Sequence, residues 1–520
     1  MSPSIGILYP GPRSVAYSSL AFHLLKGYLT EAGATVRRYF IEDNDLISDV
    51  KGIEGPRRNK ALMISLPYEL MYPDMVKALV QAGIPPRRGS RGEDDPVIIA
   101  GGPAVTANPL PVLGIVDAVL VGEAEPVLDG IVYALEAGGR SGILKRLSEL
   151  KGLLVPGYSS YPVRRVYVED LNKAWYPIDQ RTPRGVEPVW GKAFILETTR
   201  GCSRLCRFCM EGTVFRPKRD RSLPVLRRLL DEGVEYNKVS KVSFYSLIFF
   251  DNPASDSILE YAVERGLEVS VPSIRAETLT EGRARLIAEG GQRTITIAPE
   301  TGSCRIARAI HKVIGYNGTV RAVENAIAGG LRNIKLYLIV GFPGESSEDV
   351  EDTIEMARDV SKLVASSGGT VKATVNPFIP KPVTGMQWAG LEDLETLRPK
   401  INYVIKELSK AGVRASTYDP RLAYIQTVLS RGDERLGELI IEWGMRGGGI
   451  GAFKTASRKT GVDTGFYARE WNPDYDPPWH ALVEHPYAEL ERLRRDYILY
   501  TEAVKAGRAG RIRVPMTKCN

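Results

Sequence analysis

Apolar and polar positions along this chain follow two patterns: short continuous apolar runs, and longer stretches in which apolar residues recur every three to four positions. Residues 5–9, 35–41, 61–66, 97–100 and 118–121 are apolar runs that predict strands, and residues 14–32 predict an amphipathic helix after the first. Strands alternating with helices predict a parallel sheet covered on both faces, so residues 1–150 form one α/β domain. The alternation resumes at residues 193–197, 241–247, 267–272, 293–298, 333–340 and 370–375. Six strands with helices between them predict a partial (β/α)6 barrel over residues 191–400, with its chemistry at the carboxyl ends of the strands. Residues 151–190, rich in Pro and aromatic side chains, read as an ordered connector. Helical periodicity over 397–408 and 431–443 makes residues 401–520 a small, mainly helical cap. Within that cap, the glycine-rich residues 444–451 suit a flexible loop that closes over the barrel mouth.

Three of the five cysteines fall within eight positions, Cys202, Cys206 and Cys209, directly after the first barrel strand. Thiolates gathered so tightly repel one another unless a metal neutralises them. Structural zinc takes four ligands, usually from two paired arms, and the chain has no second Cys or His pair at ligand spacing. A [4Fe–4S] cluster held by three thiolates suits the spacing better than zinc or unpaired core thiols, and it leaves one iron open to another molecule.

The run from Cys202 to Cys209, Cys-x3-Cys-x-Phe-Cys after a strand, resembles the signature of the radical S-adenosylmethionine (radical SAM) enzymes. That resemblance implies a [4Fe–4S] cluster on Cys202, Cys206 and Cys209. Its open iron would hold the amino and carboxylate groups of SAM, and the reduced cluster would cleave SAM to a 5′-deoxyadenosyl radical. It also implies SAM contacts at the strand ends. Phe208 packs near adenine, Glu300 contacts SAM after the fourth strand, and Gly341 and Pro343 form the turn after the fifth on which adenine lies. Asn376 and Phe378 follow the sixth strand, and Ser246 and Arg275, at the second and third, go to SAM or substrate. The second strand ends in Ser-Leu-Ile-Phe-Phe-Asp rather than the Gly-Gly-Glu often found there, so Ser246 or backbone carbonyls would take the SAM amino group. On the residues alone, Gly341 and Gly344 also suit an ordinary strand-to-helix turn, and Glu300 suits a helix cap. Cys304 reads as a buried thiol at a helix start.

In the first domain, Gly101-Gly102-Pro103 and Gly122-Glu123 stand at two strand ends, where doubly wound sheets bind ligands. With Asn108-Pro109 and Asp117 they resemble the flavodoxin-like, cobalamin-binding domain that precedes the barrel in many radical SAM enzymes. The resemblance implies Gly101, Gly102, Pro103 and Glu123 as cobalamin contacts. The Asp-x-His-x-x-Gly run that brings a histidine to cobalt elsewhere is absent, and His23 lies in a helical pattern where a packed imidazole is expected. A domain that keeps this fold without the cofactor is the equal alternative. The stretches around Trp388 and at 430–433 resemble a functionally uncharacterised group of cobalamin-type radical SAM proteins.

A net charge of +7 over 520 residues is modest and does not mark a nucleic-acid binder. Basic residues nevertheless cluster beside the cysteines (Arg204, Arg207, Arg216, Lys218, Arg219, Arg221) and in the tail (Arg508, Arg511, Arg513, Lys518), which keeps nucleic acid open as a partner. No apolar run reaches spanning length, the first residues lack a signal-peptide pattern, and cysteines are few, so a cytoplasmic protein is expected. The reductive chemistry implies an electron donor such as ferredoxin or flavodoxin. The leading function is radical SAM chemistry with cobalamin-dependent methyl transfer to an unactivated carbon. The rivals are cobalamin-independent radical modification of RNA or peptide and, outside enzymes, an iron–sulfur electron carrier. Sulfur insertion is disfavoured, because no cysteine precedes Cys202 to hold a second cluster.

Overall fold

The computed structural model of the protein describes residues 2–49 and 55–508, so Arg511, Arg513 and Lys518 lie outside the described residues. Two compact units interleave along the chain. The first takes Met1–Lys192, Ile425–Ala468 and Asp476–Leu490, and the second takes Ala193–Tyr424, Arg469–Tyr475 and Glu491–Asn520. Residues 401–520, which the periodicity suggested as one cap, are therefore divided between the two. Among the described residues no helix is long and apolar enough to cross a membrane.

In the first unit, strands β1 (Ser4–Tyr9), β2 (Thr35–Glu42), β3 (Asp45–Ser48), β4 (Ala61–Ser65), β5 (Val97–Gly101), β6 (Ala118–Leu120) and β7 (Leu153–Leu154) form one sheet of order β3-β2-β1-β4-β5-β6-β7. The five inner strands are the expected ones and run parallel. Counted by themselves they have the flavodoxin order 2-1-3-4-5. Ile5, Ile7, Ile98, Ala100 and Val119 are fully buried, which is why these strands read as unbroken apolar runs rather than alternations. The antiparallel edges β3 and β7 were not foreseen. β3 follows β2 through Asp43 and Asn44, both left-handed (φ 51° and 72°), the geometry of a two-residue hairpin turn. The connector adds β8 (Val163–Arg164), which pairs in parallel with Val483–Glu484.

The glycine-rich residues 444–451 are a turn between helices rather than an open loop. They end the helix Leu436–Met445 and begin the helix Gly449–Thr460, with Gly447, Gly448 and Gly449 all at positive φ, and they belong to the first unit. The Leu436–Met445 helix seats there because its residues Leu436, Leu439 and Ile440 are wholly buried and Gly444 lets its backbone approach Val76.

The second unit holds β9 (Phe194–Glu197), the short antiparallel pair β10 (Thr199–Arg200) and β11 (Arg219–Asp220), then β12 (Lys241–Tyr245), β13 (Glu268–Ser270), β14 (Thr294–Glu300), β15 (Asn333–Val340), β16 (Thr370–Pro377) and β17 (Arg414–Thr417). β9, β12 and β13 form one parallel sheet and β14 to β17 another, joined by a parallel bridge between Ile274 and Ile297. This is the expected six-stranded partial barrel with β17 as an added edge. Along β15 every second residue is buried: Ile334, Leu336, Leu338 and Val340 pack on one face, while Lys335 and Tyr337 stand on the other. The polar face suits a strand that lines an open interior instead of a second apolar layer.

Candidate functional site

The cysteine loop starts from a buried carboxylate. Glu197, at the end of β9, accepts from Arg200 at 2.8 and 3.0 Å and from Arg221 at 3.2 Å. Burial alone would raise its pKa, but the two guanidiniums hold it down at about 2, so the clamp stays charged. Gly201 follows at φ 85°, where a side chain would collide with the carbonyls of Phe215 and Pro217, so the loop closes on its own backbone. Arginines complete the closure. Arg216 donates to the carbonyls of Cys202 (3.3 Å) and Ser203 (3.2 Å), and Arg219 to those of Pro217 (2.9 Å) and Phe215 (3.0 Å). Arg204 forms a fork to Asp251 at 3.0 and 3.1 Å, and Lys218 pairs with Asp220. The basic run beside the cysteines is thus engaged within the loop and does not form a free phosphate-binding row.

Cys202, Cys206 and Cys209 are free and half-buried on this loop. Burial pushes the Cys202 thiol up and the Cys209 thiol far up, the condition in which a coordinating cation rather than the protein supplies the thiolate. Among the described residues no three Cys, His, Asp or Glu side chains converge on one ion position. Polar hydrogens do reach the sulfurs. The Arg204 amide lies 3.4 Å from Cys202 Sγ, and the Arg275 guanidinium, paired with Glu277 at 2.5 Å, lies 3.9 Å from Cys206 Sγ. Arg275, expected at SAM or substrate, is therefore placed beside a cysteine.

The strand-end residues fall into two groups. Phe208 in the cysteine loop stands edge-to-face with Phe342 (centroids 6.0 Å apart), which in turn lies 5.2 Å from Phe378 beyond β16. This ladder links the cysteine loop to the turn holding Gly341 and Pro343. Phe342 was not singled out beforehand, although it lies between two residues that were. Gly341 sits at φ 84° and donates its N–H to Glu345 at 2.7 Å. Asn376, half-buried, is opposite Ile339 in the β15–β16 ladder, and Ser246, also half-buried, closes a small turn by accepting from the Ile248 amide at 3.0 Å.

Glu300 forms the second group. It is a non-glycine residue at φ 68°, set by a register shift between Ile297 and Glu300, and its buried carboxylate pairs with Lys312 at 2.6 Å. It is not a helix cap, because Ser303 accepts from the Ile306 amide and starts the helix Cys304–Ala309 itself. Cys304 is half-buried rather than buried as expected, since Ile306, Ala307 and Ala309 form that helix's buried face. No motif marked Lys312. It arrives through the fold, on a segment tied to the cysteine loop by Arg207, whose N–H donates to the Ile310 carbonyl at 3.0 Å and whose guanidinium donates to that of Ala309 at 2.6 Å.

Glu345 behind the Gly341 turn is almost wholly buried, and burial pushes its carboxyl up to about 7 although Lys400 lies 3.3 Å away. The folded chain therefore holds this proton more tightly than the unfolded chain, and the stabilisation it brings is lost as pH rises from the ordinary glutamate range through about 7. Thermal melts between pH 5 and pH 8 are expected to show a fall in stability that Glu345→Gln, which keeps an acceptor for Gly341, largely removes.

In the first unit the four residues expected at cobalamin serve the fold. A side chain at Gly102 (φ 122°) would strike the Leu66 carbonyl, and one at Gly122 (φ 120°) the Val166 carbonyl. Gly101 accepts from the Leu66 amide at 2.8 Å, Pro103 begins the short helix Pro103–Ala107, and Glu123 accepts from the Val168 amide at 2.9 Å. At Gly102 and Gly122 the space a side chain would take is occupied by the chain's own backbone, whereas at Gly101 the nearest group is the Leu120 side chain at 3.8 Å. His23 is buried and donates from Nε2 to the Tyr17 carbonyl at 2.9 Å, and burial holds its pKa down at about 4. It is a packed neutral imidazole, as its helical setting suggested.

A partial parallel barrel with a three-cysteine loop after its first strand, and with Glu300 and an aromatic turn at later strand ends, defines a radical SAM protein. The chain matches the radical SAM superfamily over residues 196–357 and the N-terminal segment of radical SAM proteins over residues 54–156. It is 31% identical over 442 residues to Uncharacterized protein MJ0966 of Methanocaldococcus jannaschii, covering 85% of this chain and 91% of that one. It is also 31% identical over 276 residues to Uncharacterized methyltransferase PH0819 of Pyrococcus horikoshii, covering 50% of this chain and 57% of that one. Among solved structures, the radical SAM methyltransferase TsrM from Kitasatospora setae, with cobalamin and a [4Fe–4S] cluster bound, shares the fold. The TM-score is 0.52 at 13% identity, over 88% of this chain and all of that one. The chain belongs to the radical SAM superfamily.

Proposed function

We propose that this chain cleaves SAM reductively at a [4Fe–4S] cluster held by Cys202, Cys206 and Cys209, and that it directs the resulting radical to methylation of an unactivated carbon. The observation that carries the first part is the cysteine loop itself, built by Glu197, Gly201, Arg216 and Arg219 before any ligand is considered. A bound cluster supplies the electron that breaks the sulfur–carbon bond of SAM. The chain's own part is binding and exclusion of water. Phe208, half-buried and backed by the buried Phe342 and Phe378, offers an apolar edge to a nucleobase beside the Gly341–Pro343 turn, and Glu300 with Lys312 offers a fixed charge pair to the polar groups of the nucleotide. Arg275 acts on the cluster side, beside Cys206.

Support for methyl transfer is the fold shared with TsrM and the likeness to a protein named as a methyltransferase. The flavodoxin-ordered first unit suits a cobalamin-type cofactor in fold, with Gly101, Gly102, Pro103 and Glu123 at its strand ends. Anaerobic reconstitution with iron and sulfide, followed by SAM and a reductant, is expected to yield 5′-deoxyadenosine and methionine; an electron carrier yields neither. Gel filtration after incubation with hydroxocobalamin is expected to retain one corrin per chain. Loss of the corrin with 5′-deoxyadenosine still formed would move the chain to cobalamin-independent radical modification.

A further inference from the structure

The sheet of β14 to β17 has a polar face that the cysteine site does not use. On β16 the buried positions are Val371, Ala373 and Val375, so Lys372 and Thr374 share the other face with Lys335 and Tyr337 of β15. The register places Lys335 beside Lys372, and Lys372 beside Arg414 of β17, a row of cations across adjacent strands. Tyr337, Thr374 and Ser416 form a row of hydroxyls two residues further along. Lys335 Nζ is drawn toward that second row: it lies 4.8 Å from the centre of the Tyr337 ring and donates to its hydroxyl at 3.3 Å. Lys372 and Arg414 are exposed, and neither has a carboxylate partner among the described residues. Arg293 and Arg332, exposed at the entries to β14 and β15, add charge at the same end of the sheet. The only carboxylate within β14 to β17 is Glu300, at the opposite end and paired with Lys312. Of the acids nearest in sequence or register, Glu289 ends the helix before β14, and Glu268 on β13 is in register with Lys241. Like charges directly opposite each other in a sheet cost stability, so the row needs a reason. Protection of an exposed edge accounts for Arg414 on the outermost strand, but not for Lys335 two strands inward.

We infer that the row Lys335, Lys372 and Arg414 holds the phosphate of a phosphorylated sugar, with Tyr337, Thr374 and Ser416 placed to meet the hydroxyls of that sugar. Lysine and arginine bind phosphate through charge-assisted hydrogen bonds, arginine as a two-pronged fork. Neighbouring strands lie ~4.8 Å apart, so the row spans about 10 Å, the footprint of one or two phosphates rather than of a nucleic-acid strand. Single-stranded RNA also calls for a platform of aromatic side chains, and Tyr337 is the one aromatic residue within β14 to β17. Lys372 lies four residues, about 13 Å along the strand, before Asn376 at the carboxyl end of β16. The phosphorylated sugar is therefore the far end of a longer substrate, an anchor that leaves the reacting carbon toward the cysteine loop. The inference rests on the radical SAM reading of that loop and adds the class of substrate it serves.

Ribose 5-phosphate is the probe, titrated calorimetrically into the reconstituted full-length chain, with ribose as the control. The wild type is expected to bind one ribose 5-phosphate per chain, with an affinity that falls as salt is raised, and to bind ribose about tenfold more weakly or worse. The triple variant Lys335→Gln, Lys372→Gln and Arg414→Gln is expected to lower the affinity about tenfold or more. Its melting temperature should stay level or rise, because the like charges are gone. Lys372→Gln alone, at an exposed position, should weaken binding about threefold, and Lys372→Arg should preserve it. A wild type that binds no ribose 5-phosphate, or that binds ribose equally well, overturns the proposal. So does an affinity unchanged in both the triple variant and Lys372→Gln. A single-stranded RNA decamer bound about a hundredfold more tightly than ribose 5-phosphate, and released by the triple variant, would assign the row to nucleic acid and overturn it as well. SAM cleavage is read separately: a chain that binds the probe as expected but forms no 5′-deoxyadenosine with dithionite overturns the radical reading of the cysteine loop while supporting the phosphate row.

Discussion

Serine at Cys202, Cys206 or Cys209, one position at a time, is expected to abolish SAM cleavage while the chain stays folded. Each thiol is free and carried on a loop whose shape is set by other groups: the Glu197 clamp, the backbone contact at Gly201, and Arg216 and Arg219 on carbonyl oxygens. Removing a sulfur therefore takes away a ligand without removing a support. Loss of a residue that merely supports a metal ligand costs ~10–100-fold, so loss of a ligand should exceed that range in 5′-deoxyadenosine turnover. Iron and sulfide per chain should fall in the same variants, and far-ultraviolet circular dichroism should not change. Cys304→Ser is the control: that cysteine lies outside the loop, at the start of the helix Cys304–Ala309, and the variant should keep its iron. A serine variant that retains both iron and cleavage at any of the three positions would remove that position from the cluster.

The second large effect belongs to the buried pair Glu300–Lys312, joined at 2.6 Å with both side chains nearly closed to solvent. Lys312→Met leaves a carboxylate in the interior without its cation, a change that costs about 3–5 kcal/mol when one partner of a buried pair is removed. Glu300→Gln strands the ammonium less severely, since the amide still accepts a hydrogen bond. The double variant, neutral at both positions, should recover most of the stability lost by Lys312→Met in urea titrations. It should not recover SAM binding, because the fixed charges are gone. That split separates a role in binding from a role in folding, and a double variant restored in both respects would make the pair purely structural.

The inner strands of the first unit were legible because burial on both faces writes them as unbroken apolar runs, as at Ile5–Tyr9 within β1, and those of the second unit because they alternate buried with less buried positions, as along β15. The elements that escaped notice were edges. β3 is half-exposed, β7 has two residues and β17 is mostly exposed, so none carries a run long enough to stand out. The Asp43-Asn44 dipeptide before β3 was a usable sign, since both residues tolerate left-handed backbone. In the site, spacing announced the cysteines, whereas Lys312 is twelve positions from its partner and carries no local pattern. Glycines misled in one respect. At Gly102 and Gly122 the small residue marks close backbone approach, as the turn chemistry implied, and the group that a side chain would strike is the chain's own carbonyl. A sequence shows that space is required, and the fold decides what occupies it.

The helix Leu436–Met445 completes the core of a unit whose sheet is encoded in the first 192 residues. More than two hundred codons separate them, so at ~5–20 residues per second the ribosome takes on the order of ten to fifty seconds to deliver the missing piece. During that interval the emerging amino-terminal portion carries an uncovered apolar flank around Val76, which makes it a natural client for chaperones that work at the exit tunnel. Gene fusions or split reporters placed at residue 192 would separate the first unit's sheet from the Leu436–Met445 helix that packs in the same unit.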